Sequence, residues 1–343
     1  MSTENTATGE NTALVARLRA AMYDWTADGV QAVLADVFAA DAKVHLAFPF
    51  EDLDGPVGLY RDALAPLAAA WPDLERRDTI VVDGPTARDD DWVGCCGYYT
   101  GTFVEPWLDI PPTHRQTSMR FHEFFRVVDG QVVEMQALWD IPEVMKQAGA
   151  WPMAPSLGRE WLVPAPATMD GLGSAPGDQA RGQESLQVVL DMLGDMGKHP
   201  TEPVEAMNLE RYWHPKFSWY GPAGIGTSRG IGGFRTVHQI PFLKSMPDRR
   251  GGGYQGLGQS HFFARGDFVA ETAWPGMAMT VTGDGWLGIV ASGQEIVMRS
   301  LDFWRVEGDL IRENWVLIDL LHVWDQLGVD VLERMRELGP NNR

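Results

Sequence analysis

The 343-residue chain is 45% hydrophobic and 22% charged, which excludes disorder along most of its length. Lys and Arg number 28 against 47 Asp and Glu, and a net charge of −19 opposes binding to nucleic acid or to an anionic membrane surface. No apolar run approaches the roughly 18 residues of a membrane-spanning helix, and the polar start MSTENTATGENT lacks a secretory pattern, so the chain is read as cytoplasmic.

In chain order, Leu14, Leu18, Met22 and Trp25 share one face of a first helix, with Asn11 as its expected cap. A short helix is expected over Val33–Phe38, then an early strand carrying His45. An amphipathic stretch ends at Trp71-Pro72-Asp73, and the period then changes to two. Strands are expected over 79–83, 92–103, 117–128 and 131–139, the last two joined by a turn at Asp129-Gly130. Cys95 and Cys96 fall inside the second of these strands. Adjacent cysteines give no disulfide framework and no metal-ligand spacing. Asp140 stands where a helix N-cap belongs and Gly149 where that helix should end.

Residues 119–150 then recur as 298–329. At a constant offset of 179 and with no gap, 11 of 32 positions are identical. They are Met119/Met298, Arg120/Arg299, Phe124/Phe303, Arg126/Arg305, Val127/Val306, Glu134/Glu313, Leu138/Leu317, Asp140/Asp319, Val144/Val323, Gln147/Gln326 and Gly149/Gly328. The chain therefore divides into a first copy over 12–150, a Pro-, Gly- and Ala-rich linker over 151–183, and a second copy over 184–335. In the second copy, Ser185 is the expected cap of a helix carrying Leu186, Val189, Leu190 and Leu193, and a short helix follows around Val204–Tyr212. Strands are expected over 258–265, 267–281, 294–306 and 309–318.

Helices first and a meander of antiparallel strands afterwards define an α+β class. Each copy should be a curved antiparallel sheet packed with helices, a cone that leaves an apolar pocket between the layers. The 14 Trp and 15 Met agree with a roomy apolar interior.

The long strand ending in Arg-Val, the Gly turn, the Val/Ile-x-Glu strand with a terminal Asp, and the Leu108-Asp-Ile-Pro-Pro-Thr113 loop together resemble the SnoaL-like polyketide cyclase family of the NTF2-like superfamily. The resemblance covers both copies. It implies two tandem NTF2-like cones and acid/base chemistry without a cofactor on a hydrophobic, carbonyl-bearing small molecule, by cyclisation, isomerisation or lyase chemistry. Single-domain members commonly pair through their sheets. The resemblance therefore implies an intrachain pseudo-two-fold dimer with Arg120, His122 and Glu134 facing the other sheet, and leaves a homodimer open. The family's acid/base Asp is replaced here by Ala137 and Val316, and its partner His by Glu123 and Asp302.

Glu123 and Asp302 are accordingly the candidate catalytic groups, since a carboxylate among apolar neighbours can act as a base near neutral pH. The alternative is a carboxylate paired with an arginine. In copy two, Ser300, Trp304, Asn314, Tyr220 and His261 are expected to line the pocket around Asp302. In copy one, His45 and Trp139 are the corresponding candidates. No HExxH, CxxC or phosphate-binding loop occurs, and Gly224-x-Gly226 lacks a βαβ context, so neither a metal nor a nucleotide is expected. The competing reading is a non-catalytic module that holds a small molecule or a protein.

Overall fold

Val15, Leu18 and Met22 recur at helical spacing and are buried on one face of α1 (Thr3–Tyr23) in the computed structural model, which describes residues 3–88, 90–173, 179–199, 201–251 and 260–339. The helix begins well before Asn11, so Asn11 lies within it rather than capping it. Thr26 caps α2 (Ala27–Val37) by accepting the Gly29 amide at 3.2 Å, and the chain turns directly into β1 (Phe38–Leu46). The expected helix at 33–38 is thus the end of an element that starts at its threonine cap.

After β2 (Glu51–Leu53), the first copy crosses its sheet with α3 (Gly55–Gly58), a wider π-type turn over Leu59–Leu64, and α4 (Ala65–Ala70). Strands β3 (Glu75–Pro85), β4 (Asp91–Thr102), β5 (Gln116–Val128) and β6 (Gln131–Trp139) follow, then α5 (Ile141–Gln147). The six strands are ordered β2-β1-β6-β5-β4-β3. All neighbours are antiparallel except β1 and β6, which run parallel with Leu46 opposite Ala137. The sheet is therefore mixed. The helical crossover between β1 and the meander permits the parallel pair, which a tight hairpin does not.

The second copy repeats this order. It runs through α6 (Gln179–Met196), a 3₁₀ turn over Val204–Met207, α7 (Leu209–Tyr212), β7 (Trp213–Tyr220) and β8 (Thr227–Arg229). Next come α8 (Gly230–Phe234), a π-type turn over Arg235–Gln239, and α9 (Ile240–Ser245). Ser185 lies inside α6, buried, and donates to the Gly266 carbonyl at 2.8 Å instead of capping. The strands are β9 (Arg250–Gly251), β10 (His261–Arg265), β11 (Phe268–Thr272), β12 (Met277–Thr280), β13 (Glu295–Met298), β14 (Ser300–Glu307) and β15 (Leu310–Ile318). Part of the strand expected at 258–265 falls on 252–259, outside the described residues. The main sheet, β10-β11-β14-β15-β7-β8, has the order of the first sheet, with the parallel pair again between first and last strands. Where the first copy keeps three long strands, the second divides them, and β13-β12-β9 form a separate sheet. The ladders still match. Phe121 faces Trp139 as Ser300 faces Ile318, and Arg126 faces Glu134 as Arg305 faces Glu313.

The identical residues of the repeat are framework ties. Gln147 bonds both the amide and the carbonyl of Ser118, and Gln326 does the same to Val297 at 2.8 and 2.9 Å. Arg126–Glu134 and Arg305–Glu313 are ion pairs at 3.0 and 2.6 Å. Arg120 reaches Asp140 at 3.5 Å, and Arg299 reaches Asp319 at 3.2 Å. Asp319 also caps α10 (Leu320–Gln326) through the His322 amide, whereas Asp140 makes no capping bond to α5. Gly149 and Gly328 end these helices at φ 66° and 75°, a region open to glycine without a Cβ penalty.

Contacts divide the chain into two compact units. One comprises Met1–Pro152, Ala167–Gly173 and Val331–Arg343, and the other Met153–Pro166 and Ser174–Asp330. The stretch between the copies thus belongs partly to each. Helix α11 (Val331–Leu338) belongs to the first unit, where Arg336 pairs with Asp109 at 2.8 Å. Among the described residues, no helix is long and apolar enough to cross a membrane.

Candidate active site

In the first unit, β5 carries Glu123 to the interior face, where the carboxylate is buried. Arg76 on β3 ion-pairs with it, while the Tyr99 hydroxyl and the Trp139 indole N–H donate to its Oε1 at 2.9 and 3.0 Å. The Arg76 guanidinium also donates to Tyr99 at 3.2 Å, binds Asp78 at 3.0 Å and lies 4.1 Å from the Phe121 ring centroid. Burial alone would lower the Arg76 pKa, but Asp78 and Glu123 hold it well above the ordinary arginine value. Burial and the neighbouring Glu123 charge likewise keep the Tyr99 hydroxyl protonated. Glu123 is therefore the centre of a satisfied buried network. Breaking one side of such a network is costly because the remaining charge stays desolvated.

The register finds the equivalent positions in the second unit. Met119 faces Tyr99, which faces Arg76, just as Met298 faces Met277, which faces Gly251. Arg76 and Tyr99 thus become Gly251 and Met277, while Phe121 and Trp139 become Ser300 and Ile318. Cys95, opposite Glu123, becomes Glu271, opposite Asp302. Large side chains give way to smaller or more flexible ones, and a cavity of about 140 Å³ opens among α6, α8–α9 and the sheet. That volume has room for a ligand of single-ring size.

Glu271 and Asp302 both line this cavity from directly opposed strand positions. Burial first, and the charge of Asp302 second, push the Glu271 pKa well above the ordinary carboxylate range. Burial and the adjacent acid thus favour the neutral form of the Glu271 carboxyl group. Ser300 donates to Asp302 Oδ1 at 2.8 Å. Asn314 and Trp304 are further wall residues. The Asn314 amide donates to the Phe303 carbonyl at 3.0 Å, and Trp304 Nε1 has no hydrogen-bond partner among the described residues.

Across from the sheet, His238 stacks on Trp219 at 4.3 Å between ring centroids. Burial, with a smaller contribution from the Arg249 charge, lowers its pKa to about 3, so it is neutral at physiological pH. Arg249, also on the wall, donates to the Met196 carbonyl at 2.7 Å.

Ser300, Asp302, Trp304 and Asn314 are brought together as expected from their alternation. Tyr220 is not on the cavity wall. It shares the face of Glu313, to which its hydroxyl donates at 3.1 Å, and burial pushes its pKa up to about 12. His261 alternates with Phe262, the residue opposite Glu271, and so lies on the other face of its strand. His45 is the register equivalent of Tyr220 and pairs with Asp52 at 2.6 Å, away from Glu123. His45 and His261 fall on expected strands whose inward phase alternation alone does not set, and Tyr220 lies on a strand, Trp213–Tyr220, outside those expected of the second copy. Trp139 does face the interior, as a donor to Glu123 in a filled space. The two thiols are buried, and burial pushes both up to about 12, so they are poor nucleophiles.

Glu271, His238 and Arg249 were missed from sequence. Glu271 sits at an offset of 176 from Cys95, because the residues between β11 and β12 break the constant spacing. A period-two reading of Phe268–Thr272 with Glu271 in phase with Val269 was the available signal. His238 and Arg249 lie in a π-type turn and a loop, where neither period applies.

Two units with helices wrapped on a six-stranded mixed sheet, the second with a carboxyl-lined cavity, define a tandem of NTF2-like α+β cones. Residues 16–148 match the family model described as SnoaL-like polyketide cyclase, so the first copy carries a SnoaL-like domain. No curated protein matches the chain. Among solved structures, the chain is similar to a Jannaschia sp. CCS1 protein assigned as a SnoaL-like polyketide cyclase, with 25% identity, 44% of this chain and 96% of that chain covered, and a TM-score of 0.36. It is also similar to IdmH of Streptomyces antibioticus, assigned as a polyketide cyclase, with 23% identity, coverage of 40% and 98%, and a TM-score of 0.32. An NTF2-like protein of Burkholderia thailandensis E264 shows 18% identity, coverage of 40% and 95%, and a TM-score of 0.32.

Proposed function

We propose that the second unit is an acid/base enzyme site for a small, largely apolar, carbonyl-bearing molecule, and that the first unit's interior is structural. The observation that carries this reading is the Glu271–Asp302 pair facing the cavity, with Glu271 held protonated by burial and by its neighbour. Asp302 as carboxylate takes the proton from the carbon next to a carbonyl. Glu271 as neutral acid donates a hydrogen bond to the oxygen on which enolate charge develops. Two carboxyl groups with separated protonation states are a recurring way to run both halves of such a step. Returning the proton at a different carbon gives isomerisation, and attack of the enolate carbon on a second carbonyl gives ring closure.

The simplest probe of the proton transfer is cyclohex-3-enone, a single-ring β,γ-unsaturated ketone whose conjugated isomer absorbs in the ultraviolet. The full-length protein is expected to convert it above the buffer rate, and the Glu271→Gln and Asp302→Asn proteins are expected to lose that activity. Conversion at the buffer rate by the wild-type protein, or equal conversion by all three proteins, rejects the assignment.

A further inference from the structure

Arg249 is the cation on the wall of the second unit's cavity. Its Nε is buried without a hydrogen-bond partner, and among the described residues no carboxylate pairs with it. Among the described residues its charge is met only by the Met196 carbonyl, and residues 252–259, which follow it closely in sequence, contain no Asp or Glu. Neighbouring Asp248 is engaged elsewhere, accepting the Thr280 amide at 2.8 Å. A guanidinium stays protonated under all ordinary conditions, and desolvation without a counter-charge is unfavourable. Arg249 also lines a surface groove beside Leu193, Gly197 and Lys198, and therefore stands where the cavity adjoins the outside. The nearby His238 is neutral and stacked on Trp219, so it adds an aromatic wall rather than a second charge.

We propose that Arg249 receives a carboxylate of the ligand, so that the natural substrate is a small cyclic or aromatic oxo acid rather than a neutral ketone. The ligand's ring then lies in the slot of Trp219 and His238, with its carbonyl end at Glu271 and Asp302 and its anionic end at the cavity mouth. The substrate class rests on the acid/base reading above, but the anion subsite itself does not require turnover.

The test is therefore a binding measurement. Calorimetric titration of the full-length protein with benzoate and with benzyl alcohol, its neutral counterpart, compares the two end groups on one ring. Benzoate is expected to bind at least about tenfold more tightly, the scale of a charge-assisted hydrogen bond. Arg249→Met and Arg249→Gln should remove the preference while keeping affinity for benzyl alcohol, and Asp302→Asn should keep the preference. Equal affinities in the wild-type protein, no binding of either compound, or a preference that survives the loss of Arg249 overturns the proposal. Equal loss of both ligands in the Arg249 variants overturns it too, since a structural residue would act that way. The cyclohex-3-enone assay uses a probe with no carboxylate, so failure of the anion subsite and failure of the acid/base reading are read separately.

Discussion

Five of the register positions at which the interiors of the two units differ decide what surrounds the carboxylate. Arg76, Tyr99, Phe121, Trp139 and Cys95 surround Glu123, whereas Gly251, Met277, Ser300, Ile318 and Glu271 surround Asp302. In the first unit a buried cation and two further donors satisfy the carboxylate, and aromatic rings fill the remaining space. In the second, the arginine position is glycine and the opposed thiol is a second acid. One substitution pattern thus exchanges a packed ion pair for a cavity lined by two opposed carboxyl groups. The framework ties through Gln147/Gln326, Arg126/Arg305 and Glu134/Glu313 stay the same. What differs between the copies is the chemistry, and what is shared is the scaffold.

The comparison breaks most readily at Arg76. Arg76→Met leaves Glu123 buried without its cation, while Asp78 keeps its ion pair with Arg19 at 2.9 Å, and should cost about 3–5 kcal/mol of unfolding free energy. Denaturant unfolding monitored by tryptophan fluorescence checks this, and an unchanged midpoint would mean that the first unit's network is not what holds its interior.

Ser300→Phe sharpens the comparison from the other side by placing the first unit's Phe121 into the second unit's cavity. Benzoate binding and turnover should both disappear. Overpacking should cost no more than ~1–3 kcal/mol, because the ring enters existing space. Retained binding in calorimetry would show that the ligand sits elsewhere.

A smaller effect comes from His238, whose counterpart in the first unit is not a buried histidine. Its pKa falls from 6.5 unfolded to about 3 folded, so the unfolded chain binds the extra proton between those values. Its contribution to stability is complete above about pH 6.5 and is lost as the pH falls through that window, with a slope of up to ~1.4 kcal/mol per pH unit. His238→Leu should flatten the stability profile between pH 4 and 6 by about that slope. An identical profile in the variant would place the histidine in contact with water.

The sequence makes the scaffold legible because its ties are local and repeated: a constant offset of 179, a turn glycine, and an Asp and a Gly bracketing each final helix. The structure places Asp302, Ser300, Trp304 and Asn314 on one cavity wall, since β14 and β15 keep the repeat's spacing. The sequence leaves Glu271 hidden because two extra residues intervene between β11 and β12 relative to the first copy. His261 and His45 lie on the face opposite to the expected one because a strand's period does not reveal its phase until a partner strand is known, and the strand that carries Tyr220 is outside the expected set. The parallel pairing of first and last strands was equally invisible, since it depends on a crossover and not on any local pattern.

The central claim is that the proton-transfer site belongs to the second copy and that its equivalent carboxylate in the first copy is structural. The most direct measurement is the rate of cyclohex-3-enone isomerisation by Asp302→Asn and Glu123→Gln proteins side by side, each first confirmed folded. General-base catalysis contributes ~10²–10⁴-fold, so Asp302→Asn should lower turnover by that order while Glu123→Gln leaves it unchanged. Turnover that survives in Asp302→Asn and falls in Glu123→Gln would contradict the account.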